Sequence, residues 1–218
     1  MEKTLKQDNI NIIKVVLFGP ESTGKTTLSK HLARHYNTVW APEYAREYLQ
    51  NKWNNERKTC ENSDLVPIAY GQMKLENELA KKADRILICD TDLLETKVYS
   101  EEYYGGLVNE KLEKAAIANT YDLYLLTYID TPWEADDLRD RPEQRLEMFN
   151  AFENALKKYN RPYILLKGDK KTRFETAVAK IDEILKSKEN LQRFSDNLTD
   201  LDLHFLHQQS NDNTNQQL

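Results

Sequence analysis

Residues 12–27 read IIKVVLFGPESTGKTT, and the fold follows from how this stretch is read. The first seven residues are mostly apolar and β-branched and run straight into Gly19-Pro20, as a buried strand ending at a turn does. The next eight, Gly19-Pro20-Glu21-Ser22-Thr23-Gly24-Lys25-Thr26, match the phosphate-binding pattern G-x-x-x-x-G-K-[ST]. A helix is expected over 25–36, with Leu28, Leu32 and Tyr36 on one face. Strand, loop and helix therefore stand in the order the motif requires. Gly19 and Gly24 let the backbone curl so that its N–H groups point at phosphate oxygens, and the helix N-terminus adds positive partial charge. Lys25 then neutralises the β- and γ-phosphates, Thr26 offers its hydroxyl to Mg²⁺, and Thr27 is placed to bond the α-phosphate. The expected nucleotide set is Gly19, Glu21, Ser22, Thr23, Gly24, Lys25, Thr26 and Thr27, and the expected cofactors are ATP and Mg²⁺.

Working outward, short apolar strands are expected at 38–41, 85–89, 122–129 and 162–166. Helices are expected over 65–83, much of 93–118 with a break at Gly105-Gly106, 143–158 and 172–186. The helix over 65–83 carries Ile68, Gln72, Leu75 and Leu79 in one row. Strands alternating with helices imply right-handed βαβ units and a parallel sheet covered on both faces. The expected class is α/β: a three-layer P-loop NTPase, nucleoside- or nucleotide-kinase-like, with a five-stranded parallel sheet. Residues 1–10 are expected to be a flexible lead-in, 11–186 the kinase domain, 187–206 a C-terminal amphipathic helix and 207–218 a disordered tail. In the 187–206 segment Leu191, Phe194, Leu198, Leu201 and Phe205 form a two-heptad seam. That seam either packs on its own domain or joins copies into a homo-oligomer.

The composition narrows the partners. With 31 basic and 36 acidic side chains in 218 residues the net charge is −5, so neither nucleic acid nor an anionic membrane is attracted generally. Two cysteines exclude a disulfide scaffold. No apolar run reaches membrane-spanning length and the polar N-terminus lacks a signal-peptide core, so a cytoplasmic location is expected.

Several P-loop classes fit poorly. GTPases need Asn-Lys-x-Asp, and Asn51-Lys52-Trp53-Asn54 lacks the final carboxylate. AAA+ motors need a lid subdomain and usually more residues. A small-molecule kinase fits best, and it needs further side chains. Asp90, ending a strand, is placed to hold Mg²⁺ through water. Asp92, two residues on, is either functional or a helix N-cap. Glu43 could take or orient the proton of an attacking hydroxyl, and Arg46 could hold a substrate oxygen; a surface Glu43–Arg46 pair is the alternative. Gln72, on an apolar helical face, either bonds neighbouring backbone or reads a ligand. Arg139, Arg141 and Arg145, mixed with acids and prolines, suggest a lid that closes on the phosphates. Trp133 either stacks on a substrate base or plugs the root of that lid.

The strings GPESTGKTTL, PEYAREY, the AYGQ around Gln72, CDTDLLETKVYSEEYYG and YIDTPWEADDLRDRPEQR together resemble the ribosylnicotinamide kinase domain of NadR-type NAD-biosynthesis proteins, over about residues 13–185. The resemblance implies ATP-dependent phosphorylation of nicotinamide riboside at its 5′-hydroxyl, giving nicotinamide mononucleotide. It suggests substrate-side roles for Glu43, Tyr44 and Arg46, a place near Mg²⁺ or ribose for Asp90 and Asp92, the nicotinamide near Trp133, and lid work for Arg139 and Arg145. Many such proteins carry an upstream adenylyltransferase domain with a His-x-Gly-His-type signature. This chain has no such string and 18 residues before the P-loop, so that activity is expected to be absent. A kinase for another nucleoside or small hydroxyl compound, or an ATP-dependent switch with weak hydrolysis, remains the alternative.

Overall fold

The computed structural model describes residues 4–139 and 142–191. Five parallel strands form one sheet in the order β2-β3-β1-β4-β5: β1 (Ile13–Phe18), β2 (Trp40–Ala41), β3 (Ile86–Cys89), β4 (Leu123–Thr127) and β5 (Tyr163–Leu166). The central strand β1 is buried along its whole length, as expected of an apolar β-branched run flanked on both sides. It pairs with β3 from Ile13↔Ile86 to Val16↔Cys89 and with β4 from Val15↔Leu123 to Phe18↔Leu126. This register brings the ends of β1, β3 and β4 to one edge, so the loops after Phe18, Cys89 and Thr127 meet. Ligand crevices of open α/β sheets lie at such an edge.

Six helices precede the end of the sheet or link its strands: α1 (Lys25–His35), α2 (Tyr44–Glu56), α3 (Leu65–Ala80), α4 (Leu93–Tyr103), α5 (Glu110–Ala118) and α6 (Arg145–Lys158). A seventh, α7, covers 170–191. One face of the sheet, carrying Val16, Phe18, Leu87, Cys89, Tyr124 and Leu126, packs against Leu94 and Val98 of α4 and Met148, Phe149 and Phe152 of α6. Edge-on rings of Phe18, Tyr124 and Phe152 lock this core. Helix α1 packs against β1, β2 and β3 without entering that cluster, which places it over the other face. The chain divides into two compact units, Met1–Ala177 and Val178–Leu218. In the second, the described residues 178–191 are helical, with Lys180 pairing to Glu183.

Three expectations need correction. Residues 4–10 are not a loose lead-in. Leu5 is buried against Leu65, Met73 and Leu112. The backbone around it is held by side-chain amides: Asn119 Nδ2 donates to Leu5 O at 3.2 Å, Asn77 Nδ2 donates to Lys6 O at 3.0 Å, and Asp8 N donates to Asn77 Oδ1 at 2.9 Å. The buried row of α3 runs through Ile68, Gln72, Met73, Glu76 and Asn77, with Leu75 and Leu79 half-buried beside it. Glu76 is tolerated inside because Tyr121 Oη (2.7 Å), Gln7 Nε2 (2.9 Å) and Lys14 Nζ (3.6 Å) all meet its carboxylate. Helix α2, absent from the sequence outline, fills the stretch after the second strand. Of the seam over 187–206, all but 187–191 lies outside the described residues, as does the tail.

Candidate active site

The P-loop turns where the sequence puts its glycines. Gly19 has φ +130°, and a Cβ there would lie 2.9 Å from Thr127 Oγ1 and 3.0 Å from Thr127 O, so only glycine lets the loop pass the end of β4. Gly24, at φ +84°, ends the loop as the N-cap of α1. Thr23 hydroxyl packs on Thr127 Oγ1 at 2.7 Å and donates to Pro20 O at 2.8 Å. Ser22, held at φ +56°, is gripped from the loop after β4: Thr131 Oγ1 donates to Ser22 O at 2.8 Å, and Glu134 N donates to Ser22 Oγ at 2.8 Å.

Lys25 is buried at the first turn of α1. Its Nζ donates to Gly19 O at 2.6 Å and Pro20 O at 3.0 Å, and pairs with Glu95 Oε1 at 3.1 Å. Burial alone would weaken its charge, but the carboxylates of Glu95, Glu43 and Asp90 outweigh that and hold its pKa above the usual lysine value. Asp90, after β3, is almost fully buried and bonds Ser29 Oγ at 3.1 Å and the Thr26 hydroxyl. Burial, reinforced by the charge of Glu43 and opposed by the bond from Thr26, pushes its carboxyl up to about 7. A buried carboxylate joined to a hydroxyl at the start of the P-loop helix is the hard-oxygen donor set a magnesium ion takes. Thr26 and Asp90 therefore fit Mg²⁺, and the glycine-lined loop fits the phosphates that bring it.

A cavity of about 520 Å³ opens from this loop. Its phosphate half is lined by Glu21 to Thr27. Beyond them it is lined by Glu43, Arg46, Gln72, Glu95, Tyr99, Tyr103 and Arg139. Glu43 is the N-cap residue of α2 but makes no side-chain cap bond, so its carboxylate is not consumed by the helix it precedes. Arg46 pairs with Asp136 rather than with Glu43. Arg139 Nε also reaches Asp136, at 3.3 Å, so the segment after β4 is drawn toward α2 through one shared carboxylate. A second cavity, of about 470 Å³, lies by Tyr48, Lys52 and Asp64, and no P-loop residue lines it.

Of the two readings left open for Gln72, the backbone one describes its bonds. Its Oε1 accepts from Tyr44 N at 2.8 Å and its Nε2 donates to Pro42 O at 3.3 Å, so it frames Glu43 from both sides while its remaining surface lines the cavity. Tyr44, expected at the substrate, is corrected: its ring lies on Gly71, where a Cβ would fall 2.0 Å from it, and it lines the second cavity rather than the one at the P-loop.

Three further assignments are corrected. Asp92 is not at the cavity. Its Oδ1 caps α4 by accepting from Glu95 N at 2.9 Å, and its Oδ2 accepts from Tyr124 Oη at 2.7 Å, so both oxygens are occupied. Arg145 does not line the cavity either. It donates to Thr131 O at 2.9 Å and Ser22 O at 3.3 Å, bracing the P-loop from α6. Trp133 lies under the Arg145 guanidinium, 5.7 Å from ring centroid to Cζ, and is not among the cavity-lining residues, although its neighbours Pro132 and Glu134 are. Arg141 falls outside the described residues.

Two side chains that shape the site were missed. Arg173, 4 % exposed, donates to Thr23 O (2.7 Å), Tyr128 O (2.9 Å) and Gly168 O (3.0 Å) and pairs with Asp130, fixing the P-loop from behind. Glu95 is the buried partner of Lys25. The charged string KKTRFET gave no sign that one of its cations turns inward. The one signal for Glu95 was its place three residues after a capping aspartate, on the face that α4 shares with Tyr99.

Known proteins share this architecture. The trifunctional NAD biosynthesis/regulator protein NadR of Salmonella typhimurium is 31 % identical over 176 residues, which is 78 % of this chain and 42 % of that protein. A crystal structure of NadR protein in complex with NR superposes with TM-score 0.66 at 24 % identity, over 79 % of this chain and 51 % of that one. A second, of NadR protein in complex with NAD and AMP-PNP, superposes with TM-score 0.62 at 25 % identity, over 79 % and 49 %. The chain thus spans about half the length, or less, of the relatives it matches. The model of a family described as the AAA domain matches residues 14–173, well over half of the sequence, and the chain belongs to that family.

Proposed function

We propose that the protein is an ATP- and Mg²⁺-dependent kinase that phosphorylates the 5′-hydroxyl of nicotinamide riboside to give nicotinamide mononucleotide. The observation that carries this reading is the single cavity in which a complete phosphate-binding loop faces a carboxylate-bearing half fit for a nucleoside. The likeness to NadR, whose structures hold NR in one case and NAD with AMP-PNP in another, supports nicotinamide riboside as the acceptor.

The assigned parts are these. P-loop amides and Lys25 hold the β- and γ-phosphates, which requires Lys25 to leave Gly19 O and Glu95 for the nucleotide. Thr26 and Asp90 hold Mg²⁺, which when bound shields the phosphate charge. Glu43 and Arg46 face the acceptor, and Gln72 keeps Glu43 in position. Arg139 comes from the segment after β4 to the transferring phosphate. Arg145 and Arg173 hold the loop's shape. The acceptor is a small molecule and the location cytoplasmic.

The test is ADP release from ATP and Mg²⁺ with nicotinamide riboside, the common ribo- and deoxyribonucleosides, and no acceptor. Release that depends on nicotinamide riboside is expected. Equal release without any acceptor overturns the kinase reading, and release driven by another nucleoside overturns the choice of acceptor.

A further inference from the structure

Glu95 Oε2, a carboxylate oxygen on the cavity wall, has no hydrogen-bond partner among the described residues. Glu95 is 2 % exposed, at the first turn of α4. Its Oε1 meets Lys25 Nζ at 3.1 Å, while Oε2 is equally buried and has no hydrogen-bond partner among the described residues. A buried acceptor left unpaired is costly, so such an atom on a cavity wall calls for a donor from outside the protein. Glu95 lines the cavity, as do Tyr99 and Tyr103, one and two turns further along α4, and Tyr103 Oη donates to Glu21 Oε1 of the P-loop at 3.2 Å.

Position identifies the donor. Lys25 is the side chain that meets the transferring phosphate, and Oε2 is one carboxylate width from the oxygen that pairs with Lys25. It therefore borders the place where the γ-phosphate and its attacking group must meet. Of the neighbouring carboxylates, Asp92 is bonded at both oxygens, Asp90 is tied to Thr26 and Ser29 on the metal side, and Glu43, at the start of α2, is the competing candidate that the Glu43→Gln variant tests. A phosphate oxygen offers no proton, so the donor is the acceptor's hydroxyl.

We propose that Glu95 is an acceptor-site residue whose Oε2 receives the hydrogen bond, and then the proton, of the attacking hydroxyl. This rests on the kinase reading above. In the step, the hydroxyl proton passes to Oε2 as the hydroxyl oxygen bonds to the γ-phosphorus. The bond from that phosphorus to the β,γ-bridging oxygen breaks, its electron pair leaves with ADP, and Glu95 afterwards returns the proton to water. Lys25, drawn from Oε1 onto the phosphates, leaves Glu95 the stronger base when the proton must move. Burial, which holds its carboxyl well above the usual range, is the environment that such a base needs.

The test compares wild type, Glu95→Gln and Glu43→Gln as full chains, by steady-state and single-turnover phosphorylation of nicotinamide riboside and by calorimetric MgADP binding without acceptor. For Glu95→Gln the expected result is a fall in kcat of about 10²-fold or more, with MgADP bound at least as tightly as by wild type. Turnover within about threefold of wild type overturns the proposal. So does a defect confined to nucleotide affinity with kcat restored at saturating ATP, because Glu95 would then serve only to place Lys25. If Glu95→Gln does not fold, Glu95→Asp keeps the charge but withdraws Oε2, and unchanged kcat there overturns the proposal equally. Wild type that releases no ADP with any acceptor overturns the kinase reading itself, whereas an active wild type beside an unimpaired Glu95 variant overturns the hydroxyl site alone.

Discussion

Arg173 Nη1 donates to Thr23 O at 2.7 Å, joining positions 150 residues apart. Thr23 is inside the P-loop, and the same guanidinium holds Tyr128 O, Gly168 O and Asp130. The phosphate loop is thus fixed from behind by one planar fork of donors while its front stays open to a ligand. Asp130 answers with a bond from Gly168 N at 2.7 Å, and although burial opposes it, that bond and the Arg173 charge hold its carboxyl below the usual range.

Arg173→Ala leaves three carbonyls short of a donor, and a cost of about 3 kcal/mol is expected, with weakened nucleotide binding. Thermal melting with and without MgADP measures both. Arg173→Lys should recover little, since one ammonium cannot span the fork. A melting point unchanged from wild type in Arg173→Ala would remove the bracing role.

Lys25→Ala is expected to abolish turnover and also to destabilise the fold, because it strands Glu95 as a buried carboxylate. The pH dependence has a definite sign. A carboxyl whose folded pKa is raised stabilises the fold while protonated in both states, and that stability is lost as pH rises above its unfolded value, 4.5. The melting-point deficit of Lys25→Ala should therefore be larger at pH 8 than at pH 5, and Glu95→Gln in the same chain should erase most of it. A deficit independent of pH would mean that lost packing, not the stranded charge, is responsible.

Much of this was legible beforehand, and what was not has a physical cause. The P-loop, the five strands and the break at Gly105-Gly106 were readable because apolar runs and glycines constrain backbone directly. Helix α2 was missed because none of its residues is buried, so it leaves no apolar stripe. The docked segment 4–10 was missed because its backbone, not its side chains, is gripped by Asn77 and Asn119, and composition does not record that. Glu95 and Arg173 were missed for a related reason: a charge that turns inward to meet a partner far along the chain looks, in sequence, like one that faces water.

Gly71→Ala tests the framing of the acceptor side. The added methyl would fall 2.0 Å from the Tyr44 ring, so the ring, and with it the start of α2 that Gln72 holds, must shift. The acceptor KM is expected to rise about tenfold or more, with MgADP affinity unchanged, since the P-loop is not touched. Kinetics with acceptor and nucleotide varied separately decide it, and a defect in nucleotide binding alone would mean that the start of α2 does not frame the acceptor side.

Asp90→Asn should separate stability from function. Burial first, then the Glu43 charge, lifts the Asp90 carboxyl from 3.8 to about 7, so its ionisation works against the nucleotide-free fold, by up to about 4 kcal/mol. The sign follows from linkage: with the folded pKa raised, stability falls as pH climbs from about 4 to about 7 and stays lower above that. Asn carries no such charge. The ligand-free variant should therefore melt higher than wild type at pH 8 and nearly equal to it at pH 4. Its Mg²⁺-dependent nucleotide binding should nonetheless drop by about tenfold or more, because a carboxylate suits a hard cation and an amide does so poorly. Melting curves at the two pH values and calorimetry with and without Mg²⁺ give both readouts. A variant less stable than wild type at pH 8 would show that the bonds from Thr26 and Ser29 outweigh the buried charge, and undiminished Mg²⁺-dependent binding would move the metal away from Asp90.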